Sequence, residues 1–434
     1  MDKMADVLGR AGAWCGQNKY LSAIKNAFQN FMPLTIAGAI GVLWCNVLVN
    51  ESTGLGLFFK PIMALDFLNP AFQAVNFCTI SCITVGITLG IAQEIGIWNM
   101  GAEKAGYIPG LVGLAAWLSV TNTSHMVDGA KEAFTGIAGN ELGATGLFTG
   151  MIIGVLSVEL FCFFEKQDAL KIKMPEQVPP GVARAFEVLV PATITLIITA
   201  CIGSACYNLT GLYLNDVIKN GIQGPLGAVG ATIPGVMIIY LVIMLFWLVG
   251  IHGNNMLSAV KEALFTPLAL ENVEKFNKGE KPTNIINMYA LQMWGEFGGS
   301  GVTIGLVIAI MIFGKREDNK AIASLSLVPG LFNINETVTF GIPMVLNPIL
   351  GIPFVVAPLI TIIIGYVLTV IGFCPVACLT VPWTTPPIVF GFLACGANVM
   401  GAVTQAILIV VSTVIYTPFL IAYEKYQNKQ AAEV

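Results

Sequence analysis

Residues 330–349 read GLFNINETVTFGIPMVLNPI. One carboxylate, Glu336, stands among Asn333, Asn335 and Thr337, with apolar tracts on both sides. Polar residues at i, i+2 and i+4 do not make a helical face. They fit an extended tip between two short apolar arms, 322–332 and 340–346, which is the form of a re-entrant hairpin. Extended backbone at membrane depth leaves N–H and C=O groups free to serve a polar ligand. An ionised acid at the bilayer centre costs about 2.5–3.5 kcal/mol, and a chain tolerates it where the group faces a cavity or a partner. The alternative is a solvent-exposed loop with an ordinary glutamate.

The surrounding chain favours a bilayer. Of its 434 residues 56% are hydrophobic and 11% charged, and the mean hydropathy is +0.79. A soluble domain carries about 25% charge, so too little charge remains here to coat a globular surface. The apolar residues run continuously for roughly 20 positions, the length of a membrane-crossing helix; a membrane β-barrel would alternate instead. The expected fold is an all-α integral membrane protein with about ten transmembrane helices, re-entrant hairpins and amphipathic helices. The first 30 residues lack the continuous apolar core of a signal peptide and read as an interfacial amphipathic helix.

Expected spans cover 31–50, 74–98, 107–120, 143–164, 187–208, 232–251, 285–313, 322–333, 340–372, 386–395 and 399–423. Three of these (107–120, 322–333, 386–395) are too short to cross. The tract 340–372, with Pro343, Pro348, Pro353 and Pro358, is expected to hold a half-helix and then a full one. Basic residues cluster at 3–25, 166–184, 315–320 and 425–429, which places both termini in the cytoplasm by the positive-inside rule. Residues 261–281 carry four lysines and conflict with that assignment, so that segment is expected either outside or beyond a hidden half-helix. The polar, proline-rich stretch KIKMPEQVPPGVARAFE (171–187) is expected to divide a membrane half at 1–184 from another at 185–434. Broken helices concentrate in the second half, and irregular backbone at membrane depth belongs where it lines a cavity.

Net charge is −4, and no basic block points to nucleic acid. The ten cysteines lack paired metal spacing and read as small buried hydrophobes. With two histidines in the chain, no histidine-rich metal site is expected, and no cofactor. His252, in FWLVGIHGNNML (246–257), sits between Gly250 and Gly253 with Asn254 and Asn255 following. It is either structural or, beside an intramembrane glutamate, a proton acceptor or hydroxyl partner. Gly298-Gly299-Ser300-Gly301 is only weakly like a phosphate-cradling turn and reads as an unwound helix or a close helix contact. Trp383, in VPWTTPP (381–387), could stack on a sugar face or sit in an interfacial belt. Asparagines, one acid, one histidine and one tryptophan, without clustered arginines, suit a neutral, hydroxyl-rich ligand.

GIHGNN (250–255), GGSGVTIGL (298–306), NINETVTFGIPMVLNPILGIPF (333–354) and VPWTTP (381–386), with KNAFQNFMPLTIAGAI (25–40) and VPPGVARAFEVLVPA (178–192), together resemble a family. It is the membrane-embedded IIC component of the bacterial phosphoenolpyruvate-dependent sugar phosphotransferase system, in its lactose/cellobiose/diacetylchitobiose branch. The resemblance runs in order over nearly the whole chain. It implies a homodimeric, ten-span sugar permease of the cytoplasmic membrane, with dimer contacts in the N-terminal half. It also implies a sugar site between two re-entrant hairpins in the C-terminal half. The sugar, a β-linked disaccharide of cellobiose, diacetylchitobiose or lactose type, would be phosphorylated at its 6-hydroxyl by a cysteine phosphate on a IIB protein supplied by IIA. By position, His252 and Glu336 contact that hydroxyl and Trp383 stacks. Asn335 and Asn333, Asn254 and Asn255, and Gly299 and Ser300 are the expected substrate-binding residues. With about ten residues after the last expected span, the IIB domain is expected on a separate protein. The sequence departs from the family pattern at Thr337, where proline is common. It departs again at Asn254 and Asn255, where small apolar residues are common, and in the polar setting of Trp294 and Glu296. The residues alone also permit a proton-coupled secondary sugar transporter using Glu336 and His252 as a relay.

Overall fold

The structure is a computed structural model, and it describes residues 10, 14, 17–51, 55–125, 134–175 and 177–433. Of the expected N-terminal amphipathic helix, residues 1–9, 11–13, 15 and 16 therefore lie outside the described residues. We number the helices used below in chain order: α1 Lys19–Leu43, α2 Ile83–Met100, α3 Ile108–Val120, α4 Ala144–Glu165, α5 Pro180–Thr210, α6 Ile233–Leu248 and α7 Gly253–Asn277. There follow α8 Met288–Gly295, α9 Ile304–Phe313, α10 Glu317–Leu331, α11 Glu336–Gly341, α12 Gly351–Val370, α13 Val389–Ala394 and α14 Val399–Glu433. Among the described residues the strands are one two-residue pair, Ser124–His125 with Phe134–Thr135. Five helices are long and apolar enough to cross a membrane, seven if two bent pairs each count as one span, and α3 and α6 are shorter apolar helices. The expected helical membrane fold is the one observed.

The chain forms two compact units. One comprises residues 17–38 and 75–228, the other 1–16, 39–74 and 229–434. The division expected at 184/185 is thus displaced to 228/229, with a further break inside α1. The reason lies in α5. Arg184, near its start, donates to the buried Glu165 of α4 at 2.9 Å. Farther along, Thr199 meets Ser119 of α3 at 3.4 Å, and a side chain at Gly203 would touch Val120. The proline-rich stretch before α5 is therefore a loop within the first unit. The helices of that unit approach through small residues: a Cβ on Gly113 of α3 would lie 2.3 Å from that of Ala92 on α2. Close approach of this kind supplies the packing that lipid, as apolar as leucine, does not drive.

The second unit is built on a large apolar core from α6, α8, α9, α12 and α14, including Tyr240, Trp294, Phe354 and Tyr416. Two departures from expectation shape it. Residues 285–313, expected as one span, form two arms, Met288–Val302 and Ile304–Phe313, bent by 60°. Gly298, Gly299 and Gly301 take φ of 70°, 87° and 80° at the break, a region disfavoured for residues with a Cβ. Tyr416 of α14 donates to the Gly301 carbonyl at 2.8 Å, satisfying backbone that the break frees. The second departure is α7, a 25-residue helix where sequence reading left a lysine-bearing connection. Its Lys261 is 7% exposed and paired with Glu296, so one of the lysines behind the topological conflict is an internal counter-ion.

Candidate functional site

The hairpin of α10 and α11 meets at the stretch quoted at the outset. Its tip is a tight turn through Phe332, Asn333, Ile334 and Asn335, with Asn333 at φ 62°. Glu336 starts α11, so it heads a short helix; the expected extended run ends at Asn335. Residues 342–350 then connect α11 to α12 outside any helix; of the tract 340–372 only the full helix, α12, is as expected, because the short helix is Glu336–Gly341 and lies almost wholly before it.

Asn333 staples three segments. Its Oδ1 accepts from the Gly298 amide at 2.7 Å. Its amide group donates to the Trp383 carbonyl and to that of Thr385 at 3.0 Å. Both donors are thereby used, and Asn333 frames the site more than it can donate to a ligand. Asn335 is 4% exposed and donates to the Ser300 carbonyl at 2.9 Å and the Thr339 hydroxyl at 3.2 Å. Gly299 is where the two segments approach closely: a Cβ there would lie 2.7 Å from Cβ of Asn335. We expect Gly299→Ala to weaken ligand affinity by about tenfold or more through displacement of this tip, since strain and clash act together. Equilibrium binding to the solubilised variant checks this.

His252 closes the opposite side. Gly250 at φ 80° turns the chain out of α6, and His252 caps α7, its Nδ1 accepting from the Asn255 amide at 3.3 Å. A ring nitrogen that accepts carries no proton, so neutral His252 holds its hydrogen on Nε2. Trp247 packs on the imidazole, with ring centres 4.4 Å apart. Nε2 then faces Oε1 of Glu336 at 3.7 Å. That is beyond direct hydrogen-bond reach, and it leaves room for one oxygen bonded to both: accepting from Nε2–H and donating to the carboxylate.

These groups line one cavity of about 620 Å³. All nine residues picked from the sequence border it: His252, Asn254, Asn255, Gly299, Ser300, Asn333, Asn335, Glu336 and Trp383. Asn254 donates to the Ser300 hydroxyl at 3.0 Å. The side chain of Trp383 is half-exposed at the cavity edge, and Phe297, Ile334 and Phe390 add apolar surface. A volume of this size with apolar walls and a few convergent polar groups is characteristic of small-molecule sites. Among the described residues no group of three or more His, Cys, Asp or Glu is placed to hold a metal.

Three polar lining residues were missed as site candidates: Gln292, Glu296 and Gln405. Gln405 is 1% exposed in α14. It accepts from the amides of Ile388 and Gly391 and donates to the Met293 carbonyl, tying α13 to α8. An uncharged polar residue inside the apolar run VMGAVTQAILIVV was the available signal. Glu296 accepts from the Tyr240 hydroxyl at 2.8 Å and from Lys261. Its partners are 56 and 35 residues away in sequence, which spacing rules do not see. The segment carrying Trp383 is pinned by two buried asparagines, Asn272 and Asn287, which donate to the Ala377 carbonyl at 3.0 and 3.2 Å.

Comparison with known proteins identifies the family and the fold. Residues 25–358 match the family described as phosphotransferase system, EIIC. The chain is 32% identical over 98% of its length to the oligo-beta-mannoside-specific EIIC component of Bacillus subtilis (strain 168), covering 94% of that protein. It is 30% identical to the cellobiose-specific EIIC component of Lactococcus lactis subsp. lactis (strain IL1403), with 98% of each covered. Its fold superimposes on the crystal structure of the transporter ChbC, the IIC component of the N,N'-diacetylchitobiose-specific phosphotransferase system. There the TM-score is 0.88 and the identity 29%, over 97% of both chains. This chain belongs to the membrane-embedded EIIC family of the sugar phosphotransferase system.

Proposed function

We propose that the protein carries a β-linked disaccharide, of cellobiose, diacetylchitobiose or lactose type, across the bacterial cytoplasmic membrane. It would present the sugar's 6-hydroxyl to a phosphocysteine on a IIB protein, itself charged by IIA. The observation that carries this reading is the facing pair of His252 Nε2 and Glu336 Oε1, 3.7 Å apart at the wall of a disaccharide-sized cavity. The relatives named for oligo-β-mannoside, cellobiose and diacetylchitobiose support the substrate class.

In this reading a sugar hydroxyl sits between the two side chains. Imidazole N–H fixes its oxygen, and the carboxylate takes its proton as that oxygen attacks phosphorus. The P–S bond breaks and the cysteine thiolate leaves. No alkoxide has to form beforehand, because the proton moves during transfer. Trp383 offers its ring to an apolar sugar face. Asn335, Asn254, Asn255, Gly299 and Ser300 supply polar contacts, and Asn333 holds the tip in register. In this reading both termini lie in the cytoplasm, and the unit of residues 17–38 and 75–228 supplies the contacts of a homodimer.

The test is transport in membrane vesicles of defined energy source. Uptake that needs phosphoenolpyruvate and the soluble phosphotransferase proteins, and that delivers sugar phosphate, is the expected result. Accumulation of unmodified sugar driven by a proton gradient would overturn this reading in favour of a secondary carrier.

A further inference from the structure

The cavity carries a second set of polar groups, on the side built by α8, that the phosphorylation chemistry leaves unused. Glu296 receives both of its protein donors, the Tyr240 hydroxyl and the Lys261 ammonium, on one oxygen, Oε1. Its other oxygen has no partner among the described residues, and Glu296 lines the cavity. Four residues earlier, inside α8, Gln292 also lines the cavity, and its Oε1 is buried without a hydrogen-bond partner. Buried acceptors are normally satisfied, and an orphaned one calls for a ligand or water.

These two oxygens are of one kind: both accept. Lys261, 7% exposed, pairs with Glu296 at the cavity wall, so a charge-assisted acceptor is held ready. A sugar offers hydroxyl donors at several ring positions. Resting on the sugar-permease reading, we propose that Gln292 and Glu296 form an acceptor subsite. It reads free hydroxyls of the disaccharide other than the one held by His252 and Glu336. The subsite selects for sugars whose hydroxyls there are neither removed nor alkylated, because a deoxy or O-methyl position leaves the acceptors buried and unpaired.

Glu296 also has a structural duty, so a single substitution would confound the two roles. The variant to use is Tyr240→Phe/Lys261→Met/Glu296→Leu, which removes the whole polar triad with similar shapes and strands no partner. Dissociation constants for cellobiose and its mono-deoxy and mono-O-methyl derivatives are measured on the solubilised wild type and on this variant. We expect the variant to bind cellobiose at least tenfold more weakly. At least one deoxy analogue should lose a similar factor on the wild type and bind equally to both proteins. Unchanged cellobiose affinity in the variant, or every analogue losing the same factor on both proteins, overturns the subsite and leaves the permease reading intact. Failure of the wild type to bind cellobiose, lactose or diacetylchitobiose overturns both.

Discussion

On the proposed function, Glu336→Gln is expected to lower the rate of sugar phosphorylation by about 10²–10⁴-fold, the range a positioned general base contributes. The substitution keeps an oxygen near His252 Nε2 and leaves the hairpin intact. The Glu336 side chain is 47% exposed, and its one ion-pair contact among the described residues is His252 at 3.7 Å. It therefore holds nothing together that glutamine would release. What is lost is the acceptor of the hydroxyl proton. The neutral amide cannot take that proton as oxygen attacks phosphorus, so the deficit falls on the chemical step more than on binding. The measurement is initial-rate formation of sugar phosphate in inside-out vesicles with saturating phosphorylated IIB, alongside equilibrium binding of unmodified sugar. A wild-type rate in this variant would remove Glu336 from the reaction.

Lys261→Met has the largest expected effect on stability. The pair it forms with Glu296 is nearly buried, with side-chain exposures of 7% and 16%, and the ammonium also lies 5.5 Å over the Tyr240 ring. Removing one partner of a buried pair leaves an uncompensated charge and costs about 3–5 kcal/mol. Lys261→Met/Glu296→Gln should recover most of that loss, since the amide needs no counter-charge and its oxygen can still accept from Tyr240. Unfolding temperatures of the two solubilised variants check the pattern. Equal destabilisation by the single and double variants would show that the charge on Glu296 is not what Lys261 is there to balance.

Both predictions concern one cavity, yet the sequence treated their residues differently. Glu336 stood out because it is a lone acid in an apolar tract, where desolvation makes any charge informative. His252 stood out through its flanking glycines and Trp383 through its prolines. Lys261 did not. Its neighbours Lys275, Lys278 and Lys281 lie on the same segment, and four lysines together read as a segment either outside or beyond a hidden half-helix. The helical period of α7 was hidden by the same charges, because a helix that buries a paired cation does not show a continuous apolar run.

The sequence by itself determined that this is an α-helical membrane protein with broken helices in its C-terminal part. It also marked out nine residues that border one cavity. Those facts follow from local quantities: run length against bilayer thickness, the cost of a charge in lipid, and glycine where backbone must turn. Tertiary structure alone decided that α5 belongs with the first unit, because the Arg184–Glu165 contact joins side chains 19 residues apart. It decided that Asn333 is spent on bracing three segments, through contacts to Gly298, Trp383 and Thr385 as far as 52 residues away. It also set which of Glu296's oxygens is free. Hydrogen bonds between distant segments are fixed by how helices pack, and packing is a property of the whole chain that no window of sequence contains.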